Sequence, residues 1–257
     1  MKRSKQFVDQ RRARIMRSLQ LYGELRISFL AEDLEVSTLT IRRDVLALAE
    51  AGLVEHRYGR VILKNPLATE FSSTEIEAKR AIAKAAAALC KDGETILINT
   101  SSTALMILQY LKQKRLTVVT NNARVLDADV GQDKQIILTG GELRHPKEAL
   151  IGDFAMDSLR KVVADRAFIG CSGISVENGV STAVLQESSV NRLMMERARE
   201  VTIVADHTKI GHDSRFNYGS MEQVHRLVTD RLSSKLLLKR FMKRGTEILV
   251  AEGEDEK

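Results

Sequence analysis

The twelve residues from Ser37 to Leu48, Ser-Thr-Leu-Thr-Ile-Arg-Arg-Asp-Val-Leu-Ala-Leu, constrain this chain more than any other stretch. Ile41, Val45 and Leu48 recur at i, i+4, i+7, so a helix here buries one face and turns Thr40, Arg42 and Arg43 away from it. Ser37 is placed as its N-cap and Gly52 as its stop. Ser28 to Leu34 reads as a further short helix, joined through a tight Glu35-Val36 connection. Together they predict a helix-turn-helix, whose second helix enters a DNA major groove with its N-terminal residues on base edges. Taken alone, the helix fits better as an amphipathic surface helix with a solvated Arg pair. Its surroundings favour the first reading.

Charge is the first of these. Residues 1–64 hold 13 Lys/Arg against 8 Asp/Glu, whereas the other 193 residues are nearly balanced at 27 against 26. A local basic excess beside such a motif is the footprint of a phosphate-binding module. Upstream, Val8, Ile15, Leu19 and Tyr22 mark a helix from Phe7 that ends at Gly23, with Arg11, Arg12, Arg14 and Arg17 on its outer face. Ser28 is the expected cap of the second helix, and Phe29, Leu30 and Leu34 its inward residues. After Gly52, alternation on both sides of Tyr58-Gly59 predicts a two-stranded wing, with Arg57 and Arg60 as phosphate-positioning candidates. His56 and Tyr58 either pack or touch DNA.

Residues 65–75 carry one of two prolines and a polar cluster, the expected linker between residues 1–64 and 76–257. Beyond an Ala-rich helix from Ile76 to Leu89, β-branched runs alternate with helical ones. The strand-like runs are Ile96–Ile98, Thr117–Thr120, Gln135–Leu138, Arg166–Ile169, Val201–Ala205 and Arg226–Thr229. The helical stretches are Ala104–Lys112, Glu187–Ala198 and Ser234–Lys243. This rhythm predicts an open, mainly parallel α/β sheet with helices on both faces, where ligands sit at the carboxyl ends of strands.

Five of those ends carry small or hydrogen-bonding residues: Asn99-Thr100-Ser101-Ser102-Thr103, Thr120-Asn121-Asn122, Thr139-Gly140-Gly141 with Arg144 behind, Gly170-Cys171-Ser172-Gly173, and Asp206-His207-Thr208-Lys209. Ser102 and Thr103 either cap a helix or help hold an anion there. Asp206 and Lys209 either form a surface ion pair or face a ligand.

Ser37 to Leu48, with Thr40-Ile41-Arg42-Arg43-Asp44 at its centre and Gly52, Arg57 and Tyr58-Gly59 after it, resembles the DNA-binding signature of DeoR-type bacterial repressors. Where that family usually has a second wing glycine, this chain has Arg60. The resemblance runs over nearly the whole chain. It implies a winged helix-turn-helix followed by an effector domain similar in fold to ribose-phosphate isomerase and the CoA-transferase group.

The implied function is sequence-specific repression of a carbohydrate-utilisation operon, modulated by a phosphorylated sugar. On the DNA side it points to Ser37, Thr38, Thr40, Arg42, Arg43, Arg57, Tyr58 and Arg60. On the effector side, Ser102-Thr103 match the family's phosphate loop, with Asn99 and Ser101 beside them as further effector candidates, Thr120-Asn121 match its Thr-Asn, and Gly140-Gly141 its Gly-Gly. Gly170 and Gly173 match its glycine turn, and Asp206 with Lys209 its Asp-x-x-Lys, with Arg144 added from the strand-end reading. The family's acid, small residue and glycine before Ser102 are here Asn99, Thr100 and Ser101. Ser172 and Asn191 replace a further acid and a lysine.

No apolar run approaches the roughly 20 residues that span a membrane, which predicts a cytoplasmic protein, on the nucleoid when bound to DNA. Cys90 and Cys171 are two isolated thiols, the histidines are scattered, and neither cofactor nor metal is expected. Two-fold operators predict a homodimer or homotetramer. The rival reading is a sugar-phosphate isomerase with a DNA-binding extension. Its proton transfers need a carboxylate, for which Asp206 and Glu187 are the obvious candidates.

Overall fold

The computed structural model describes residues 5–22, 24–57, 59–63, 73–111, 114–128, 130–131, 133–145 and 147–252. Gly23, Tyr58, most of the 65–75 linker and the acidic end of the chain lie outside them. Contacts divide the chain between residues 71 and 72.

The first unit runs α1 (Lys5–Tyr22), β1 (Glu24–Arg26), α2 (Ile27–Asp33), α3 (Thr38–Glu50), β2 (Val54–Arg57) and β3 (Arg60–Leu63). Its core joins Ile15 and Leu19 of α1, Ile27, Leu30 and Ala31 of α2, and Ile41, Val45 and Leu48 of α3. Val54, Val61 and Leu63 of the hairpin complete it.

Three expectations change here. Phe29 is 47% exposed, because a helix starting at Ile27 buries Ile27, Leu30, Ala31 and Leu34 in phase and turns Phe29 outward. Ser28 lies inside the first turn and caps nothing. Strand β1 runs straight into α2, and the free Ile27 N–H is satisfied by Gly59 O at 3.0 Å. The wing is therefore a three-stranded sheet, in the order β1-β3-β2.

The second unit runs α4 (Ser73–Ala87), β4 (Thr95–Ile98), α5 (Ser102–Met106), β5 (Leu116–Thr120), β6 (Lys134–Leu138), β7 (Glu142–Arg144), β8 (Ala149–Ile151) and α6 (Asp153–Arg160). It continues through β9 (Ala164–Ile169), β10 (Gly173–Ser175), β11 (Gly179–Thr182), α7 (Leu185–Glu196) and β12 (Ala198–Val204). The last elements are β13 (Phe216–Gly219), β14 (Arg226–Asp230), α8 (Lys235–Met242) and β15 (Glu247–Ala251). Helix α4 begins inside the segment read as linker, and α5 passes after Met106 into a single 3-10 turn.

All six expected strands enter one parallel sheet, in the order β15-β14-β12-β9-β4-β5-β6, with β15 as an additional edge. Register places Leu97, Val119, Ala167 and Val201 in one row. That row belongs to the apolar cluster with Val190, Leu193 and Met194 of α7 and Phe241 of α8. The alternate residues Ile96, Val118 and Phe168 are fully buried on the other face, where α4 packs with α5. Both faces are covered, as period-two burial in a parallel sheet requires.

The chain enters at β4, adds β5 and β6 on one side, then returns to place β9 on the other. The β4/β9 boundary is the switch point of the sheet, where the crevice of an open α/β fold lies.

Candidate DNA-binding face and strand-end crevice

Helix α3 is shaped at both ends by local chemistry. Ser37 Oγ accepts from Thr40 N–H at 3.2 Å and lies 2.9 Å from Thr40 Oγ1. At the other end Gly52 takes φ +75°, and Leu53 N–H and Gly52 N–H close back on Leu48 O and Ala49 O. This is the paired closure that a left-handed residue after a helix permits.

Between these ends Arg42 and Arg43 are exposed, as are Ser37 and Thr38, while Thr40 is half-buried. Leu39 and Leu46 share the exposed face, at 57% and 55%. Sequence reading passed over these two, although their i−3 and i+3 spacing about Arg42 and Arg43 places them there. An exposed Leu beside cations is suited to a thymine methyl group.

The helix is braced from behind. Asp44 is buried and accepts from Arg11 Nε at 2.5 Å and Arg12 Nε at 3.2 Å. Arg11 and Arg12 therefore do not belong to a free outer face. They tie α1 to α3, and of the four arginines expected outward only Arg14 is seen there, the side chain of Arg17 lying outside the described residues.

In the wing, Arg26, Arg60 and Arg57 fall on one cross-strand row, and all three are exposed. Like charges in register oppose sheet pairing. Arg57 Nε meets Glu55 at 2.7 Å, an exposed pair that holds it only weakly. The expected Tyr58 contact lies outside the described residues.

In the second unit, the five decorated ends belong to five adjacent strands, β12, β9, β4, β5 and β6. Asn99 spans the switch point. Its Oδ1 accepts from Gly170 N–H (3.0 Å) and Ser101 N–H (3.2 Å), and its Nδ2 donates to Gly170 O (2.9 Å) and Asn191 Oδ1 (3.2 Å). All four hydrogen-bonding positions are used, so Asn99 shapes the crevice and its side chain has none left for a ligand. Asn191 is its direct partner, so two departures from the family pattern that lie 92 residues apart form one neutral pair.

Thr120 is committed in the same way, donating to Ile98 O and accepting from Asn122 N–H. Ser101 caps α5 through Ala104 N–H at 3.4 Å, and Thr103 is buried beside it. Ser102 is half-buried. A Cβ on Gly170 would lie 2.0 Å from Ser101 Oγ, and one on Gly141 2.3 Å from Ile151 O, so both positions are held to glycine by close approach. Gly140 is open, Gly173 abuts His212 O, and Arg144 is half-buried in β7. Ser172 serves the β10–β11 hairpin, its Oγ accepting from Ala183 N–H.

Asp206 is buried and receives Thr208 N–H and the Thr208 hydroxyl on Oδ1, while Lys209 Nζ donates to Thr208 Oγ1 at 2.8 Å. Burial, with Asp206 nearby, pushes the neighbouring Cys171 thiol up to about 12. Tyr218 OH donates to Gly170 O at 3.1 Å. Glu187 takes Lys147 and Thr182 on Oε2. Among the described residues no partner reaches Glu187 Oε1 or Asn121 Oδ1, although both are buried. Neither Lys147 nor Tyr218 was singled out from sequence, since nothing local marks them.

An exposed, cation-bearing second helix in a winged helix-turn-helix, joined to a parallel sheet with a polar crevice, is the build of a DNA-binding regulator. Comparison with known proteins gives the family. The DeoR-like helix-turn-helix domain matches residues 11–66 and the DeoR C-terminal sensor domain residues 74–231. The HTH-type transcriptional regulator GolR of Listeria innocua is 31% identical over 96% of this chain and 100% of its own length. The HTH-type transcriptional repressor GlcR of Bacillus subtilis is 30% identical over 98% and 99%. The glycerol-3-phosphate regulon repressor of Escherichia coli is 31% identical over 86% and 90%. Ribose 5-phosphate isomerase A of Methanocaldococcus jannaschii overlaps 53% of this chain and 55% of its own, at 17% identity and a TM-score of 0.39.

The chain belongs to the DeoR family of transcriptional regulators. It is a DNA-binding regulator and not an enzyme, which sets the isomerase reading aside. No described helix is long and apolar enough to cross a membrane.

Proposed function

We propose that this protein represses a carbohydrate-utilisation operon from the bacterial cytoplasm, as a homodimer or homotetramer, and that a phosphorylated sugar in the strand-end crevice modulates its hold on the operator. Domain limits of 1–64 and 76–257 go with this reading, the shorter unit for DNA and the longer for effector and self-association. The observation that carries it is the pairing of two features: Arg42 and Arg43 exposed on the outer face of α3, and five polar strand ends adjacent across one switch point. The name of the glycerol-3-phosphate regulon repressor among the relatives supports an effector of this class.

Ser37, Thr38 and Thr40 are offered to bases or backbone at the start of α3, with Arg57 and Arg60 on flanking phosphates. Around the crevice, Ser102, Asn121, Gly140, Gly141, Arg144, Gly173 and Lys209 form the lining offered to the effector. Asn99, Ser101, Thr103, Thr120, Gly170 and Asp206 set its shape.

Fluorescence anisotropy with duplex DNA from upstream of the gene tests the first half. Arg42→Ala or Arg43→Ala at a base contact costs about 1 to 3 kcal/mol and relaxes sequence preference. Unchanged affinity in both variants would remove α3 from the interface. Adding a panel of phosphorylated sugars to the same complex tests the second half, with a change in operator affinity expected for one of them and for none of the unphosphorylated sugars.

A further inference from the structure

Helix α3 carries an exposed stripe as well as a buried one. Ile41, Asp44, Val45 and Leu48 are its buried residues, and at about 100° per residue the point opposite their centre falls at Leu39. Leu46, seven residues on, projects within about 20° of Leu39, and Arg42 and Arg43 stand one to either side of that line. Both leucines are more than half exposed. A single exposed leucine on a protein surface is ordinary. Here two of them occupy the middle of the face turned furthest from the unit's own core, with cations as flanks. The stripe also has a direction. Glu50 continues it one turn beyond Leu46 and is exposed, which sets a negative charge at the carboxyl end of α3, whereas Leu39 lies in the first turn, next to the exposed Thr38. A polyanion is therefore better received at the amino end of the stripe, the end from which a recognition helix reaches base edges.

We infer that Leu39 is a base-reading residue, placed to pack on the C5 methyl group of a thymine in the operator's major groove, with Arg42 and Arg43 on either side of it. The inference rests on the preceding reading that α3 enters that groove. Of the groups that base pairs present there, the thymine methyl is the apolar one, and the polar ones are hydrogen-bond donors and acceptors. A leucine laid against a donor or acceptor strips its water and returns no bond, so Leu39 selects both by what it accepts and by what it leaves unpaired. An apolar contact releases no counterions. It adds affinity without adding to the salt dependence, unlike a contact from Arg42 or Arg43 to a phosphate.

The test uses the full-length protein and operator duplexes, selected by binding from a random library, in which each thymine in turn is replaced by deoxyuridine. That exchange removes the methyl group and keeps the base pairing. At one position wild type is expected to bind the deoxyuridine duplex about fourfold more weakly, the effect of one buried methyl. Leu39→Ala is expected to bind thymine and deoxyuridine alike there, with the salt slope unchanged and little change in melting temperature. Leu46→Ala is expected to keep the wild-type preference. Wild type that is indifferent to every thymine methyl, or a preference that survives in Leu39→Ala, would overturn the assignment. Arg42→Ala and Arg43→Ala on the same duplexes separate it from the docking of α3. Weaker binding in those variants, with no methyl preference in wild type, removes Leu39 alone, whereas unchanged binding in both removes α3 from the groove and the assignment with it.

Discussion

The recognition helix and the strand-end crevice are both polar surfaces carried by apolar scaffolds, yet they spend their polar groups differently. On α3 the side chains proposed to meet DNA stand in solvent or at its edge, and the one buried acid, Asp44, looks backward to Arg11 and Arg12. In the crevice most of the polar groups are turned on one another: Asn99 on Gly170 and Asn191, Thr120 on Ile98, Asp206 on Thr208. A helix that reads DNA can be rigid and waiting, because the duplex supplies the complementary charge. The crevice proposed to take a small molecule is held to shape by its own hydrogen bonds, so that only a few groups would remain for such a ligand.

This contrast predicts that substitutions in the crevice cost stability first, whereas those on the outer face of α3 cost binding alone. The largest effect is expected for Asn99→Asp, which sets a carboxylate against Gly170 O and Asn191 Oδ1 where Asn99 now donates. About 3 kcal/mol or more of unfolding free energy is expected to go, measured by urea denaturation of the second unit's transition. Adding Asn191→Lys to that variant supplies a cation opposite the new acid and recovers part of the loss. If Asn99→Asp were neutral, the crevice would not be internally committed and the contrast would fail.

Asp44→Ala comes next, at about 3 kcal/mol in the first unit, because it strands Arg11 at the α1–α3 junction. Operator affinity is expected to drop with it, through loosening of α3, and to recover where stabilising conditions restore folding. A drop that persisted in fully folded protein would make Asp44 part of the reading surface. Smallest is the wing: Arg57→Ala and Arg60→Ala are each expected to weaken all DNA sequences alike and to flatten the salt dependence of binding by about one charge, with little change in melting temperature.

Much of the first unit is legible in its residues. Ser37 as cap, Gly52 as stop and the Ile41-Val45-Leu48 seam are local signals, each written within one or two helical turns. Phe29 misled because the phase of α2 depends on its start, and that start is set by β1 and the Gly59 carbonyl across the wing, 32 residues away. The parallel strands were legible as β-branched runs, whereas the antiparallel trio β10-β11-β13 was not, being short and rich in Gly and Ser.

Periodicity, capping residues and turn glycines determined by themselves that this chain makes a helix-turn-helix and an α/β sheet, since such signals act between residues close in sequence. The order of the strands, the adjacency of their five polar ends, and the division of polar side chains into shape-holding and open ones were decided only in three dimensions. A hydrogen-bonding group is used up by whatever the fold brings within about 3 Å of it, and nothing in the neighbouring sequence records which group that will be.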